Sequence, residues 1–321
     1  MNRFNQLFSS SIFLLLFSLL SPVVAQNRSV HQGDPSIFYE KGTYYLYGTN
    51  DEDSNLGIVV YTSTDQMKSW KAQGFALKKG DAFGDRGFWA PQVWKHLDKF
   101  YMAYTANEKI AIAEAPTPIG PFKQKDKAPL AADYAQIDPF IFVDDDAKVY
   151  FFHVRLGDGN QVWVAEMTSD FSATKPGTAK ACIVANSSSW EHVNEKAGKV
   201  AEGPTVIKRA GKYYLFYSAN DFRNRDYAVG YAVSDHIYGP WVRYTGNPII
   251  HESLTGQAGS GHGDLIEDGQ GKLWYTFHTH NRKDKVGPRR TAIVQLKTSN
   301  KNGMLHFQLV KKTFRFLTEL Q

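Results

Sequence analysis

Apolar and polar residues alternate along this chain in pairs of short runs, each pair joined by a tight turn. The fullest copy is Ala201–Asn220, AEGPTVIKRAGKYYLFYSAN. A carboxylate (Glu202) precedes Gly-Pro, then comes the apolar run Thr205–Ile207, a turn at Arg209-Ala210-Gly211, and the aromatic run Tyr213–Tyr217. Two runs of strand-forming residues around a glycine-containing turn predict a β-hairpin, with Pro204 at the strand's first residues, where a missing N–H is tolerated. The same pattern recurs in Gly33–Thr49, Trp89–Ala106, Ile137–Val154 and Gly263–His280.

Each hairpin is followed by a further strand signal, at Gly57–Thr62, Ile110–Ala113, Gln161–Glu166, Tyr227–Val233 and Thr291–Leu296. Three to four strands per unit in five units predict an all-β fold, a five-bladed β-propeller, as a single domain over residues 26–321. The aromatic runs do not alternate cleanly with polar residues, which suits sheets covered on both faces, as neighbouring blades are.

The first 25 residues stand outside this pattern. Arg3, the apolar stretch Phe8–Leu20 and the small-residue site Val23-Val24-Ala25 read as a secretory leader over 1–25. The apolar stretch is short for a bilayer, so no membrane span is expected, and the protein is expected to be exported, to the periplasm or beyond. Cys182 is a single cysteine and has no internal disulfide partner; it reads as a small, inert apolar residue. The net charge of +5 is spread over clusters such as Lys283-Asp284-Lys285 and Lys311-Lys312. With no binding motif gathered on one face, it predicts a solvated surface and no nucleic-acid partner.

In a propeller the starts of the innermost strands ring one end of the central channel. The repeat places Asp34, Ala90, Asp138, Glu202 and Gly263 there, with Trp89 and His262 beside theirs. A scaffold has no use for three acids at one funnel, because crowded like charges resist joint ionisation, and that crowding is how a carboxyl keeps a proton near neutrality. Capping of strand starts explains a single Asp-Pro, and a carboxylate cage for a hard cation such as calcium is the main rival. Paired carboxylates flanking a bond with an oxocarbenium-like transition state are the signature of glycoside hydrolysis.

The motifs GDPSIF, FWAPQV, IDPFIF, AEGPTV and SGHGDL, in this order and over the whole mature chain, resemble glycoside hydrolase family 43. The resemblance implies an inverting glycosidase of plant polysaccharides, with Asp34 as general base, Glu202 as general acid and Asp138 orienting the acid and raising its pKa. It implies α-L-arabinofuranosyl or β-D-xylosyl linkages in arabinan, arabinoxylan or xylan, with endo-arabinanase and galactan-active relatives as alternatives. A non-catalytic, calcium-dependent carbohydrate-binding propeller is the reading from another class.

By the same resemblance Trp89 is an aromatic wall and Arg290 the arginine that reaches substrate hydroxyls, with Arg289 its neighbour and competitor. His262 matches a histidine near the channel axis that contacts substrate or serves as metal ligand to a calcium ion, often through water. The acid/base chemistry itself requires no cofactor. His278 and His280, two apart on one strand, read as packing or rim residues. Large family xylosidases carry a second β-sandwich domain that closes the site; this chain is expected to lack it, leaving the aglycone side either more open or closed by loops such as 80–88 and 186–199.

Overall fold

The computed structural model describes residues 28–187, 189–195 and 198–320; the expected leader, 1–25, lies outside the described residues. Five antiparallel sheets follow one another along the chain as the blades of a propeller. The innermost strands are Gln32–Glu40, Trp89–His96, Gln136–Val143, Ala201–Arg209 and Gly261–Glu267. Each pairs with the second strand of its predicted hairpin, and the third strand pairs with the second. In the hairpin turns Lys41-Gly42 and Ala210-Gly211 both central residues have positive φ, the backbone that matches the twist of flanking strands.

The covered-on-both-faces prediction holds because each gap between neighbouring blades is filled by its own apolar cluster. Tyr47, Val60, Met102 and Tyr104 pack between blades I and II, and Phe151, Ile141 and Ile110 between II and III. Val164, Leu215 and Tyr217 fill the next gap, Phe216, Tyr231 and Tyr275 the one after. Between blades V and I lie Leu46, Trp70 and Ile293. The ring is closed by lacing the chain's two ends there. Arg28–Ser29 pairs with Thr318–Glu319, and Val30 N–H donates to the Leu317 carbonyl at 3.0 Å. Cys182 is partly buried and burial pushes its thiol up to about 12, so it stays a thiol at working pH. Among the described residues no helix is long and apolar enough to cross a membrane.

Candidate active site

Every innermost strand opens with a one-residue irregularity, where the register to its partner slips between Gly33 and Ser36, Trp89 and Gln92, Ile137 and Phe140, Glu202 and Thr205, and Gly261 and Gly263. One residue in each slip has left-handed backbone: Asp34 (φ 49°), Ala90 (45°), Asp138 (54°), Gly203 (60°) and His262 (42°). These five are the true equivalents, and each precedes Pro35, Pro91, Pro139, Pro204 or Gly263. The expected equivalence of Glu202 and Gly263 with Asp34 is therefore corrected by one residue in opposite directions. Glu202 occupies in blade IV the place that Trp89 holds in blade II. Gly203 takes the left-handed turn instead, and glycine is required there twice over, since a Cβ would also lie 2.7 Å from the His262 ring.

Left-handed backbone at Asp34, Ala90, Asp138 and His262 costs on the order of 1 kcal/mol or more each, so something must hold it. A side chain from the end of the preceding blade's second strand does. Thr49 accepts the Ala90 N–H (3.1 Å), Thr105 that of Asp138 (3.0 Å), Ser218 that of His262 (2.7 Å) and His278 Nδ1 that of Asp34 (3.1 Å). Blade III breaks the series, because its residue in that place is Val154, paired with Ile137, which has no acceptor. The Gly203 N–H goes to the Asp138 carboxylate instead, at 3.1 Å. One apolar substitution in the repeat thus ties Asp138 to the backbone next to Glu202.

Asp34 is held as an anion. Its Oδ1 accepts from Arg289 Nη1 at 2.8 Å and lies 3.3 Å from Nδ1 of both His262 and His278; its Oδ2 accepts from Thr49 Oγ1 at 2.6 Å. Burial by itself would raise its pKa, but the Arg289 guanidinium first, and His262 after it, outweigh burial and hold the carboxyl well below the usual range. Arg289 is oriented by Asp51, to which Nε and Nη2 both donate, and lies over the Phe222 ring, 5.2 Å from its centroid. Its path crosses Gly33, where a Cβ would meet the guanidinium carbon at 1.9 Å. His278 accepts the Asp34 N–H through Nδ1, so that nitrogen is unprotonated, and burial pushes the ring's pKa down to about 4.

Glu202 is held the other way. Burial is the chief reason its carboxyl is pushed up to about 7, and the negative charges of Asp34 and Asp221 add to it. Donors at both oxygens, Tyr227 Oη to Oε1 (2.7 Å) and Asn160 Nδ2 to Oε2 (2.7 Å), pull back toward ionisation. Asp138 is also raised, by burial first and then by Glu202 and Asp34. The sequence argument made the Asp138 charge the cause of Glu202's retained proton; in the structure burial leads, and the charges that add to it are those of Asp34 and Asp221.

The channel along the axis is lined by one triplet per blade, from Asp34-Pro35-Ser36 to His262-Gly263-Asp264, and its cavity of about 30 Å³ admits a water or two but no sugar. Substrate must therefore sit over its mouth. Asp264 lies partly buried further along the channel, where Thr205 Oγ1 donates to it at 2.9 Å and desolvation lifts its pKa to about 6. Trp89 is half-buried at the mouth, its Nε1 3.4 Å from Ser54 Oγ.

Arg290 is not brought to the carboxylates. It begins its strand facing the other way and lies 3.3 Å over the Phe316 ring, while Arg289, one residue earlier, enters the site. His262 lies 3.3 Å from Asp34 and 3.8 Å from Asp138. Among the described residues no three His, Cys, Asp or Glu side chains form a ligand set for a metal ion. A calcium ion takes six to eight oxygens, and His262 would offer it one nitrogen. Tyr227, Asn160, Asp51 and Phe222 were missed in the sequence because each joins the site only through contacts between distant segments. His278, read there as packing, caps Asp34.

The family model of glycosyl hydrolases family 43 matches residues 21–305. A solved structure described as an endo-1,4-beta-xylanase from Bacteroides thetaiotaomicron is 38% identical, with a TM-score of 0.84 over 92% of this chain and 100% of that one. A beta-xylosidase of Xylanibacter ruminicola is 26% identical over 78% of this chain and 88% of its own, and a xylosidase/arabinosidase of Humicola insolens 25% identical over 86% and 96%. One carboxyl held low in pKa and one pushed up to about 7 at the mouth of a five-bladed ring suit glycosidic hydrolysis, and the match spans nearly the whole chain: the protein belongs to glycoside hydrolase family 43 and is a glycosidase.

Proposed function

We propose that the protein is an exported enzyme that hydrolyses α-L-arabinofuranosyl or β-D-xylosyl linkages of plant polysaccharides with inversion. The observation that carries this reading is the opposed protonation of two buried carboxyls in one mouth, Asp34 held ionised by Arg289 and Glu202 held protonated by burial. Such a divergence assigns acid and base. Glu202 gives its proton to the leaving glycosidic oxygen as that bond to the anomeric carbon breaks. Asp34 takes a proton from the water that attacks the same carbon from the opposite face.

A base with so low a pKa is a weak proton acceptor, so much of Asp34's contribution is its negative charge facing the oxocarbenium-like transition state. Asp138, anchored on Gly203 N–H, keeps Glu202 oriented. Inversion asks for a wide carboxyl separation, roughly 6.5–9.5 Å, to admit the water. The glycone rests on the xylosidase and arabinosidase names of the relatives, and export rests on the leader.

Hydrolysis of aryl β-D-xyloside and aryl α-L-arabinofuranoside, with product anomers followed by NMR, tests the proposal. Turnover of one of them with inverted product is expected. Retention would overturn the roles of Asp34 and Glu202, and silence on these and on xylan and arabinan would overturn the activity.

Tyr227 gives a second check. Its hydroxyl donates to Glu202 and favours the ionised carboxylate, so Tyr227→Phe raises the acid's pKa. The alkaline limb of kcat/KM is expected to move to higher pH. A limb that stays in place or falls would remove Glu202 as the group it reports.

A further inference from the structure

On the same face of the propeller as the carboxylates, at the outer rim of blade IV, lies a cavity of about 470 Å³, sixteen-fold roomier than the axial channel and within the range of small-ligand sites. Its walls include Trp190, Asp226, Ala228, His251, Glu252 and Ser253. We propose that this cavity is a distal subsite on the leaving-group side, where a pentose residue of the polysaccharide chain stacks on Trp190. The inference rests on the hydrolase reading above and extends it to the length of substrate the enzyme grips.

Position argues for the leaving-group side. Tyr227, whose hydroxyl touches Glu202, stands between Asp226 and Ala228 in the chain, so the acid and the cavity share one short segment. The strand beginning at Ala228 is the third of its blade, two strand spacings or about 10 Å outward from the strand of Glu202. A chain whose leaving oxygen meets Glu202 and which continues outward over Tyr227 reaches the cavity within a few sugar residues. Asp34 and Arg289 belong to blade I and the blade V–I junction, so the glycone side points elsewhere.

The walls are built rather than incidental. Buried Asn220, itself left-handed at φ 71°, donates through Nδ2 to the carbonyls of both Trp190 and Asp226 (2.9 Å each), and its Oδ1 accepts the Val193 N–H at 3.1 Å. The segment carrying Trp190 is Ser-rich and would be expected to wander, yet Glu191 beside it is fully buried. Glu191 accepts from Arg243 Nε (2.6 Å), from Tyr217 Oη (2.5 Å) and from the Asn186 N–H (2.6 Å). Gly230 lets the indole seat: a Cβ there would lie 2.4 Å from Trp190. Packed on Tyr217 on one side, Trp190 remains partly exposed toward the cavity. A rigid half-exposed aromatic ringed by carboxylate, imidazole and hydroxyl groups is what binds a sugar ring, whose faces are apolar and whose edge is polar.

The test compares wild type, Trp190→Ala, Trp190→Phe and Asp226→Ala on aryl monoglycosides and on xylotetraose and α-1,5-arabinotetraose, with tetrasaccharide binding read by calorimetry. For Trp190→Ala, kcat/KM on the tetrasaccharide is expected to fall about 10-fold or more, chiefly through KM, with aryl glycoside turnover within 2-fold. Asp226→Ala should show a smaller loss of the same kind, and Trp190→Phe should restore most of it. Equal losses on both substrates, or none on either, would overturn the subsite. If wild type hydrolyses neither substrate the activity falls, and the subsite is then decided by binding: loss of tetrasaccharide binding in Trp190→Ala upholds it, and unchanged or absent binding overturns it.

Discussion

Replacing Glu202 by Gln is expected to lower kcat/KM on xylo- or arabino-oligosaccharides by about 10³-fold, within the 10²–10⁴ that a positioned general acid supplies. An aryl glycoside with an acidic phenol as leaving group needs little protonation, so its loss should be clearly smaller. The alkaline limb near pH 7, set by the raised carboxyl, should vanish from whatever activity remains. The amide keeps a carbonyl oxygen for Tyr227 Oη to donate to, its NH2 faces Asn160, whose side-chain amide must turn its oxygen inward to accept, and the residue stays in its buried strand position next to Gly203. Equal losses on both kinds of substrate, with the alkaline limb intact, would remove Glu202 from the acid's role.

Arg289→Met should cost stability and chemistry together. Its guanidinium is nearly sealed between Asp34 and Asp51, with all three side chains about nine-tenths buried. Removing the cation leaves two buried carboxylates without their partner, a loss of about 3–5 kcal/mol, on the order of 10 °C in Tm for a chain of this size. The sign of the pH effect follows from the same bonds. Asp34's pKa lies below its unfolded value chiefly because of Arg289, so the stability this contributes is present above the ordinary carboxyl pKa and is lost as pH falls through the folded one. Without the arginine, burial dominates and the Asp34 pKa rises. The acidic limb of kcat/KM is expected to move up in pH, and calorimetry to show the lower Tm at neutral pH. An unmoved acidic limb would mean that Arg289 does not govern the base. The neighbouring substitution Arg290→Met removes only a guanidinium stacked on Phe316 and should leave that limb in place.

Much of the architecture was legible along the chain, because a propeller writes its period into the sequence. Each blade must supply a hairpin, and each gap between blades must be filled, so the aromatic runs at Tyr44–Tyr47, Phe100–Tyr104, Tyr150–Phe152, Tyr213–Tyr217 and Trp274–Phe277 recur in step. Asp34 and Asp138 were found by that period too, since both carry the left-handed turn before a proline. Glu202 stands one residue out of phase, because its motif places Gly203 at the turn, and aligning the acids of the repeat does not align the backbone.

Local pattern alone therefore determined the all-β class, the five units and the three acids at one end of the channel. Tertiary structure decided which arginine reaches Asp34. Arg289 and Arg290 are indistinguishable as neighbours in a sequence, yet strand pairing begins at Arg290 and turns it outward, leaving Arg289 to cross Gly33. The protonation states were decided there as well. Burial, which lifts Glu202, and the convergence of Arg289 and His262, which lowers Asp34, are set by chain segments up to 255 residues apart. A pKa is a property of the space around a carboxyl, and that space exists once the ring has closed.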